Sequence, residues 1–331
     1  MRLDWASLLD LLRTSADYVL TSHLRPDCDA LGSELGLCGV LEAIGKRVRI
    51  VNAQPTPPGL SFLDPGGRIQ SLEGGVTPDE VESCGVLLVL DTSAFAQLWA
   101  MGEIARRIRS KVLVVDHHVS EDDLSDRWFK DTAAEATGRI VAEIALRLGV
   151  SLERTIAQPL FCALATDTGW FRFPSATGET FRLASRLVDA GASPPDFYRD
   201  LFEQDTLPRL NLVGRVLAGA TTRHDGRVIT SRVRRSDFAA TGARGSDTED
   251  IVNLTLTVKG TQLAAILIEL PDGKVKVSFR SRSHVDASLL AARFGGGGHR
   301  AAAGATLDGP FEESQRRVDE AVDEAWSRAA Y

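Results

Sequence analysis

Nothing in this chain suggests a protein stapled by disulfides. Cysteine occurs four times in 331 residues, and Cys28, Cys38, Cys84 and Cys162 show no CxxC spacing. They read as reduced residues in or near the core of a cytoplasmic protein. Long apolar runs are missing too: no stretch approaches the roughly 20 residues that a membrane-spanning helix needs. Met1, Arg2, Leu3, Asp4 and Trp5 lack the basic, apolar and small-residue order of a signal peptide. The third shortage is of positive charge. Against 45 acids stand 38 Lys and Arg, a net charge of −7. A protein that grips long duplex nucleic acid by releasing counterions presents a basic face instead. A few local arginines can still hold a short phosphorylated ligand, so small substrates are favoured, with no membrane partner.

With 44% apolar and 25% charged residues, the chain has the composition of an ordinary globular protein, and its length suits two domains. Helical periodicity covers Ser7 to Ser15, Leu35 to Ile44, Thr137 to Leu148 and Thr155 to Thr166. Short apolar runs at Tyr18 to Ser22, Val48 to Val51, Val86 to Leu90 and Val112 to Val115 read as strands. Such alternation predicts a doubly wound, mainly parallel α/β sheet. Helical segments at Thr180 to Ala190 and Phe197 to Leu217 lead into a different pattern. There Arg227 to Val233, Leu263 to Leu270 and Lys274 to Phe279 read as strands, the last two joined at Pro271, Asp272 and Gly273. Helices are expected at Thr248 to Leu254, Ala287 to Phe294 and Phe311 to Ala329. This second region is a smaller mixed α/β domain.

The chemistry gathers where apolar runs stop. Val112 to Val115 ends in Asp116, His117 and His118; Val86 to Leu90 ends in Asp91. Val19 to Ser22 leads to His23, with Asp27 and Asp29 in a tight turn after Pro26. Ala163 to Thr166 closes on Asp167 in the manner of a further strand end, although the wider pattern there is helical. Strand ends of an open α/β sheet deliver polar groups to the crevice at its carboxyl edge. A lone Asp-His-His sequence is weak evidence, and Asp27 and Asp29 alone would read as helix caps. Together these residues form a set of carboxylate and imidazole ligands. That set suits two divalent ions, Mn²⁺ first, with Mg²⁺, Co²⁺ or Fe²⁺ as alternatives. Asp91, ending a buried strand, needs a partner or a metal and is placed to bridge two cations.

A second motif is the glycine run Gly295 to Gly298 followed by His299 and Arg300. Four glycines expose backbone N–H groups to an approaching anion, and His299, Arg300 and the nearby Arg280 add side-chain donors. By itself the run is a flexible turn; with His-Arg directly after it, phosphate or nucleotide recognition is the better reading. His224 reads as a surface residue, and His284, beside the arginine strand, stays open.

These motifs, taken in order, resemble the DHH phosphoesterase family, in particular members whose C-terminal DHH-associated domain ends in a GGGH motif. The resemblance covers nearly the whole chain. It implies a DHH catalytic domain over 1–190, a helical linker over 191–215 and a substrate-binding domain over 216–331, with the active site in the cleft between the domains. In size and layout the chain looks like the bacterial oligoribonuclease and pAp phosphatase (nanoRNase) subgroup. The resemblance further implies that His23 and Asp27 hold one metal, that Asp29, His117 and Asp167 hold the other, and that Asp91 bridges. His118 would contact the scissile phosphate and Asp116 would orient the histidines. Arg280, Gly297, Gly298 and His299 would hold the nucleotide, and a homodimer is expected. Cys28, a thiol between two ligands, is the oddity of the set.

The expected reaction is hydrolysis of very short oligoribonucleotides, about 2–5 nucleotides long, and of pAp, assisted by two metals. A sibling reading takes cyclic dinucleotides or their linear products, such as c-di-AMP, pApA and pGpG. A nucleotide-binding sensor without turnover is a third reading, against which the complete ligand set argues.

Overall fold

The computed structural model describes residues 3–119 and 122–328. The chain divides into two compact units, Met1–Gln204 and Asp205–Tyr331, and the segment expected as a linker is shared between them.

In chain order the first unit runs α1 (Trp5–Thr14), β1 (Asp17–Thr21), α2 (Cys28–Ala43), β2 (Arg47–Asn52), β3 (Ile69–Ser71), α3 (Pro78–Glu82) and β4 (Val86–Leu90). Then come α4 (Phe95–Leu98), α5 (Ala100–Arg107), β5 (Val112–Asp116), β6 (Trp128–Lys130), α6 (Thr137–Leu148), α7 (Arg154–Asp167), α8 (Gly178–Asp189) and α9 (Pro194–Phe202). Its strands form one sheet in the order β3-β2-β1-β4-β5-β6, every pair parallel. This is the doubly wound arrangement expected from the alternation of elements. Its strand order reverses between β1 and β4, where such sheets open a crevice at their carboxyl ends.

Side-chain alternation explains the layering. Leu88, Leu90, Leu113 and Val115 point into one core with helices α2, α6 and α7. Leu87, Val89, Val112 and Val114 point into another with α5. Strands buried on both faces read as continuous apolar runs, which made β4 and β5 legible. Close approach of α2 and α7 depends on a missing side chain, since a Cβ at Gly32 would stand 2.4 Å from the Pro159 carbonyl oxygen.

Several boundaries differ from expectation. Helix α2 starts at Cys28 rather than Leu35, so Asp27 is its N-cap and Asp29 lies in its first turn. Asp167 ends helix α7, not a strand. The short edge strands β3 and β6 carried no readable pattern.

The second unit contains α10 (Leu207–Ala218), β7 (Thr221–Arg223), β8 (Val228–Val233), α11 (Arg235–Thr241), α12 (Ile251–Thr255), β9 (Leu263–Glu269), β10 (Val275–Ser281), α13 (Ala287–Ala292), β11 (Gly297–His299), β12 (Ala302–Leu307) and α14 (Phe311–Arg328). Ala329, expected in the last helix, lies outside the described residues. The mixed sheet has the order β11-β12-β10-β9-β8-β7, with only β8 and β9 parallel. Helices α13 and α14 cover one face, while α10 and α12 cover the β8 and β9 end of the other. The helix expected over Phe197 to Leu217 is two helices, α9 and α10, one in each unit.

Candidate metal centre

Four chain segments of the first unit bring the expected ligands together. His23 follows β1, Asp27 and Asp29 open α2, Asp91 follows β4, His117 follows β5 and Asp167 closes α7. Three groups place one donor atom from each member within 4.8 Å of the others. They are His23, Asp27 and Asp91; Asp29, His117 and Asp167; and Asp91, His117 and His118. Asp91 belongs to two of these groups. It sits at a left-handed φ of 61°, a strained conformation for a non-glycine residue and one that collects at functional sites.

Hydrogen bonds fix most of these side chains before any ion arrives. His117 Nδ1 lies 3.2 Å from the Ala134 carbonyl oxygen. That leaves Nε2 to face Asp167 at 3.5 Å, Asp91 at 3.6 Å and Asp29 at 3.8 Å. His23 Nε2 stands 3.5 Å from Asp91 and 3.9 Å from Asp27. The N-terminus of α6 donates to the acids: Thr137 N to Asp29 at 2.7 Å, Gly138 N to Asp29 at 2.9 Å, and the Thr137 hydroxyl to Asp91 at 2.9 Å. Residue 138 must be glycine here, because a Cβ would stand 2.6 Å from that of Ala163. Thr137 and Gly138 escaped the sequence reading, which saw only a helix start. A Thr-Gly pair at the head of an amphipathic helix was the available signal.

Burial pushes Asp29 well above the usual carboxylate range, and the charges of Asp91 and Asp167 push it further. Burial does the same to Asp91, with Asp27, Asp116 and Asp167 adding repulsion, and it also raises Asp167. Acids crowded in this way call for a cation. Carboxylate oxygens mixed with imidazole nitrogens are the donors that hard and borderline divalent ions accept. The residues present therefore fit a pair of such ions.

Asp116 behaves differently. It is fully buried, and burial works to raise its pKa. Hydrogen bonds from the His118 side chain, Ser93 and the His118 backbone outweigh that push, and the pKa is lowered. His118 Nδ1 lies 2.8 Å from Asp116 Oδ1, and the His118 N–H donates to the same oxygen at 3.0 Å. Ser93 and Lys130 hold the other oxygen. Bonded to this carboxylate, His118 keeps its proton above the usual histidine range, and half its side chain is exposed. Cys28 is buried, with its thiol in hydrogen-bonding reach of Cys162.

The second unit holds the other expected residues. Gly297 to His299 form the edge strand β11 rather than a free anion nest. His299 pairs with Ala302, and Ala302 with Arg280 across the next strand. Paired residues share a face, so His299 and Arg280 flank Ala302, and small Gly297 and Gly304 lie in the adjoining row. A Cβ at Gly298, where φ is 142°, would meet the Ala302 carbonyl at 2.6 Å. Arg300 reaches the His284 carbonyl at 3.5 Å. His224 is no free surface residue: Nε2 lies 2.7 Å from Asp323, and the ring stacks on Trp326. His284 packs against the same tryptophan.

Comparison with known proteins gives the same division. Residues 17–164 match the DHH family N-terminal domain and residues 225–330 the DHHA1 domain. The bifunctional oligoribonuclease and PAP phosphatase NrnA of Thermus thermophilus is 31% identical over 94% of this chain and 91% of its own length. The Bacillus subtilis protein of the same description is 27% identical over 90% and 92%. An exopolyphosphatase-related protein from Bacteroides fragilis superposes with a TM-score of 0.84 at 24% identity, covering 98% of this chain and 97% of that one. The acids and histidines gathered at the strand ends, the two domain matches and the 31% identical relative agree: the chain belongs to the DHH family of phosphoesterases, in the branch that carries a DHHA1 domain.

Proposed function

We propose that this protein hydrolyses very short oligoribonucleotides to mononucleotides and removes phosphate from pAp, with two divalent ions, Mn²⁺ first, as cofactors. One observation carries the reading: six ligand-type side chains converge on the switch point of the sheet, beside a half-exposed histidine held by a buried carboxylate. His23 and Asp27 would hold one ion, Asp29, His117 and Asp167 the other, and Asp91 both. When bound, such a pair supplies Lewis acidity to phosphate oxygens and acidifies a water molecule.

The chain's own groups do the rest. Asp116 accepts from Nδ1 of His118, which fixes the tautomer and leaves Nε2 to carry a proton to the departing nucleoside oxygen. The same positive ring stabilises charge building on the phosphate. Arg280, Gly297, Gly298, His299 and Arg300 are the proposed nucleotide-holding groups of the second unit. Their support is the shallow, small-residue floor between His299 and Arg280. A homodimer and a cytoplasmic location belong to the same proposal. Supporting them are Leu207, Leu210 and Leu217, exposed along α10, and four buried cysteines free of disulfides.

The test is product release with Mn²⁺ from pAp, a dinucleotide, a five-nucleotide RNA and a cyclic dinucleotide, with chelator and Asp91→Ala controls. Fast metal-dependent cleavage of the short linear substrates is expected. Preference for the cyclic dinucleotide would transfer the assignment to that substrate class, and no cleavage of any would refute the enzyme reading.

A further inference from the structure

Glu34 stands outside the ligand set, yet it is completely buried. It lies on α2, five residues beyond Asp29. Its Oε2 accepts from Asn52 Nδ2 at 3.0 Å. Asn52 closes β2, and its Oδ1 accepts from the Ser22 N–H at 3.1 Å and the Thr21 hydroxyl at 3.3 Å. Ser22 is the residue immediately before His23. The Ser22 hydroxyl also acts on the Glu34 carboxyl. Neither Ser22 Oγ nor Glu34 Oε1, both buried, has a hydrogen-bond partner of normal geometry among the described residues.

Two orphaned polar atoms in one buried pocket are costly unless they satisfy each other. Burial pushes Glu34 up to about 7, so in metal-free protein its carboxyl carries a proton over the acidic range. A neutral carboxyl can donate from Oε1 to Ser22 Oγ while Oε2 accepts from Asn52, which would satisfy both orphaned atoms. The carboxyl then holds the Ser22 side chain directly and the Ser22 backbone through Asn52.

We propose that Glu34 is a positioning residue for the metal centre: acting through Asn52 and Ser22, it fixes the end of β1 and so the placement of His23 beside Asp27 and Asp91. The proposal rests on the two-ion reading of the site. It separates the two halves, because Asp29 is held by the N-terminus of α6 and the Ser33 hydroxyl, and His117 by Ala134.

Mn²⁺ titration calorimetry on the full chain, with melting of the metal-free protein alongside, tests it. Wild type is expected to bind two equivalents; binding none would overturn the two-ion reading and this proposal with it. Glu34→Ala is expected to weaken one binding step by about 10- to 100-fold, the usual cost of losing an outer-sphere partner, and to leave the other step unchanged. Glu34→Gln, which copies the neutral acid's donor and acceptor, restores the weakened step. If Glu34→Ala does not fold, Ser22→Ala takes its place and is expected to weaken the same step. Two intact steps in a folded Glu34→Ala or Ser22→Ala protein would overturn the proposal. So would equal weakening of both steps, or a Glu34→Gln protein as impaired as Glu34→Ala.

Discussion

Glu34→Gln also makes a sharp prediction about stability. The carboxyl titrates at about 7 in the folded protein against 4.5 for an unperturbed glutamate. Below both values the folded and unfolded chains are equally protonated at this residue, and nothing is lost. As pH rises through 4.5 the unfolded chain ionises while the folded one holds its proton, so stability falls until the pH passes about 7. With one unit worth about 1.4 kcal/mol, the shift amounts to about 3 kcal/mol, most of it lost between pH 5 and 8. The amide of Glu34→Gln does not titrate and keeps the hydrogen-bonding pattern of the neutral acid. Relative to wild type, the variant should therefore gain about 2–3 kcal/mol on going from pH 5 to pH 8. Urea unfolding of chelator-treated protein, followed by tryptophan fluorescence, measures this; four of the five tryptophans lie in the first unit. Titration of Asp29, Asp91 and Asp167 cancels in the comparison because both proteins contain them. Parallel pH profiles for the two proteins would refute the assignment of a raised pKa to Glu34.

Asp91→Ala should abolish Mn²⁺-dependent hydrolysis while raising metal-free stability at pH 8, because it removes a buried, crowded acid; activity and urea unfolding report the two effects. In metal-free wild type the raised values of Asp29, Asp91 and Asp167 make stability fall as pH rises above the usual aspartate range. Added Mn²⁺ should reverse that loss more strongly at higher pH, read as a shift in melting temperature. Asp116→Asn removes the partner that holds His118 protonated, so the alkaline limb of kcat should move to lower pH; an unmoved limb would exclude His118 as the acid. Arg280→Ala should raise KM by about 10-fold or more with kcat little changed, since a charged hydrogen bond is worth roughly 1.5–3 kcal/mol.

The apolar runs that became β1, β4 and β5 were legible because strands buried on both faces leave no polar interruption. The acids and histidines following them stood out for the same reason. Asp167 was harder: α7 is buried along most of its length, so its apolar run lacks a polar face and its last turn reads like a strand. The strand β11 was invisible, since glycines carry no strand propensity. It forms because backbone without Cβ atoms can lie against β12 at Gly296 and Gly298. Ser93, Thr137, Asn52 and Glu34 were missed for a different reason. Each acts on a partner distant in the chain, as Thr137 does on Asp29 across 108 residues, and no local pattern encodes such a pairing.

The observed capping by Asp27 does not exclude the proposed ligand role. Its Oδ1 accepts from the backbone of Asp29 at 3.0 Å and of Ala30 at 3.1 Å, which leaves Oδ2 free of those bonds. Capping fixes the carboxylate at the start of α2, where His23 and Asp91 come within donor distance of it. The N-terminus of α6 does the same for Asp29 through Thr137 and Gly138. In both cases backbone N–H groups at the positive end of a helix hold the acid, and for buried Asp29 they replace the solvent that burial removes. Those bonds lower the pKa of Asp29 against the push of burial and of Asp91 and Asp167. A ligand oxygen bound only by a metal would be free to rotate away when the ion left. Held by amides, these acids would keep their place whether or not the proposed ions are bound.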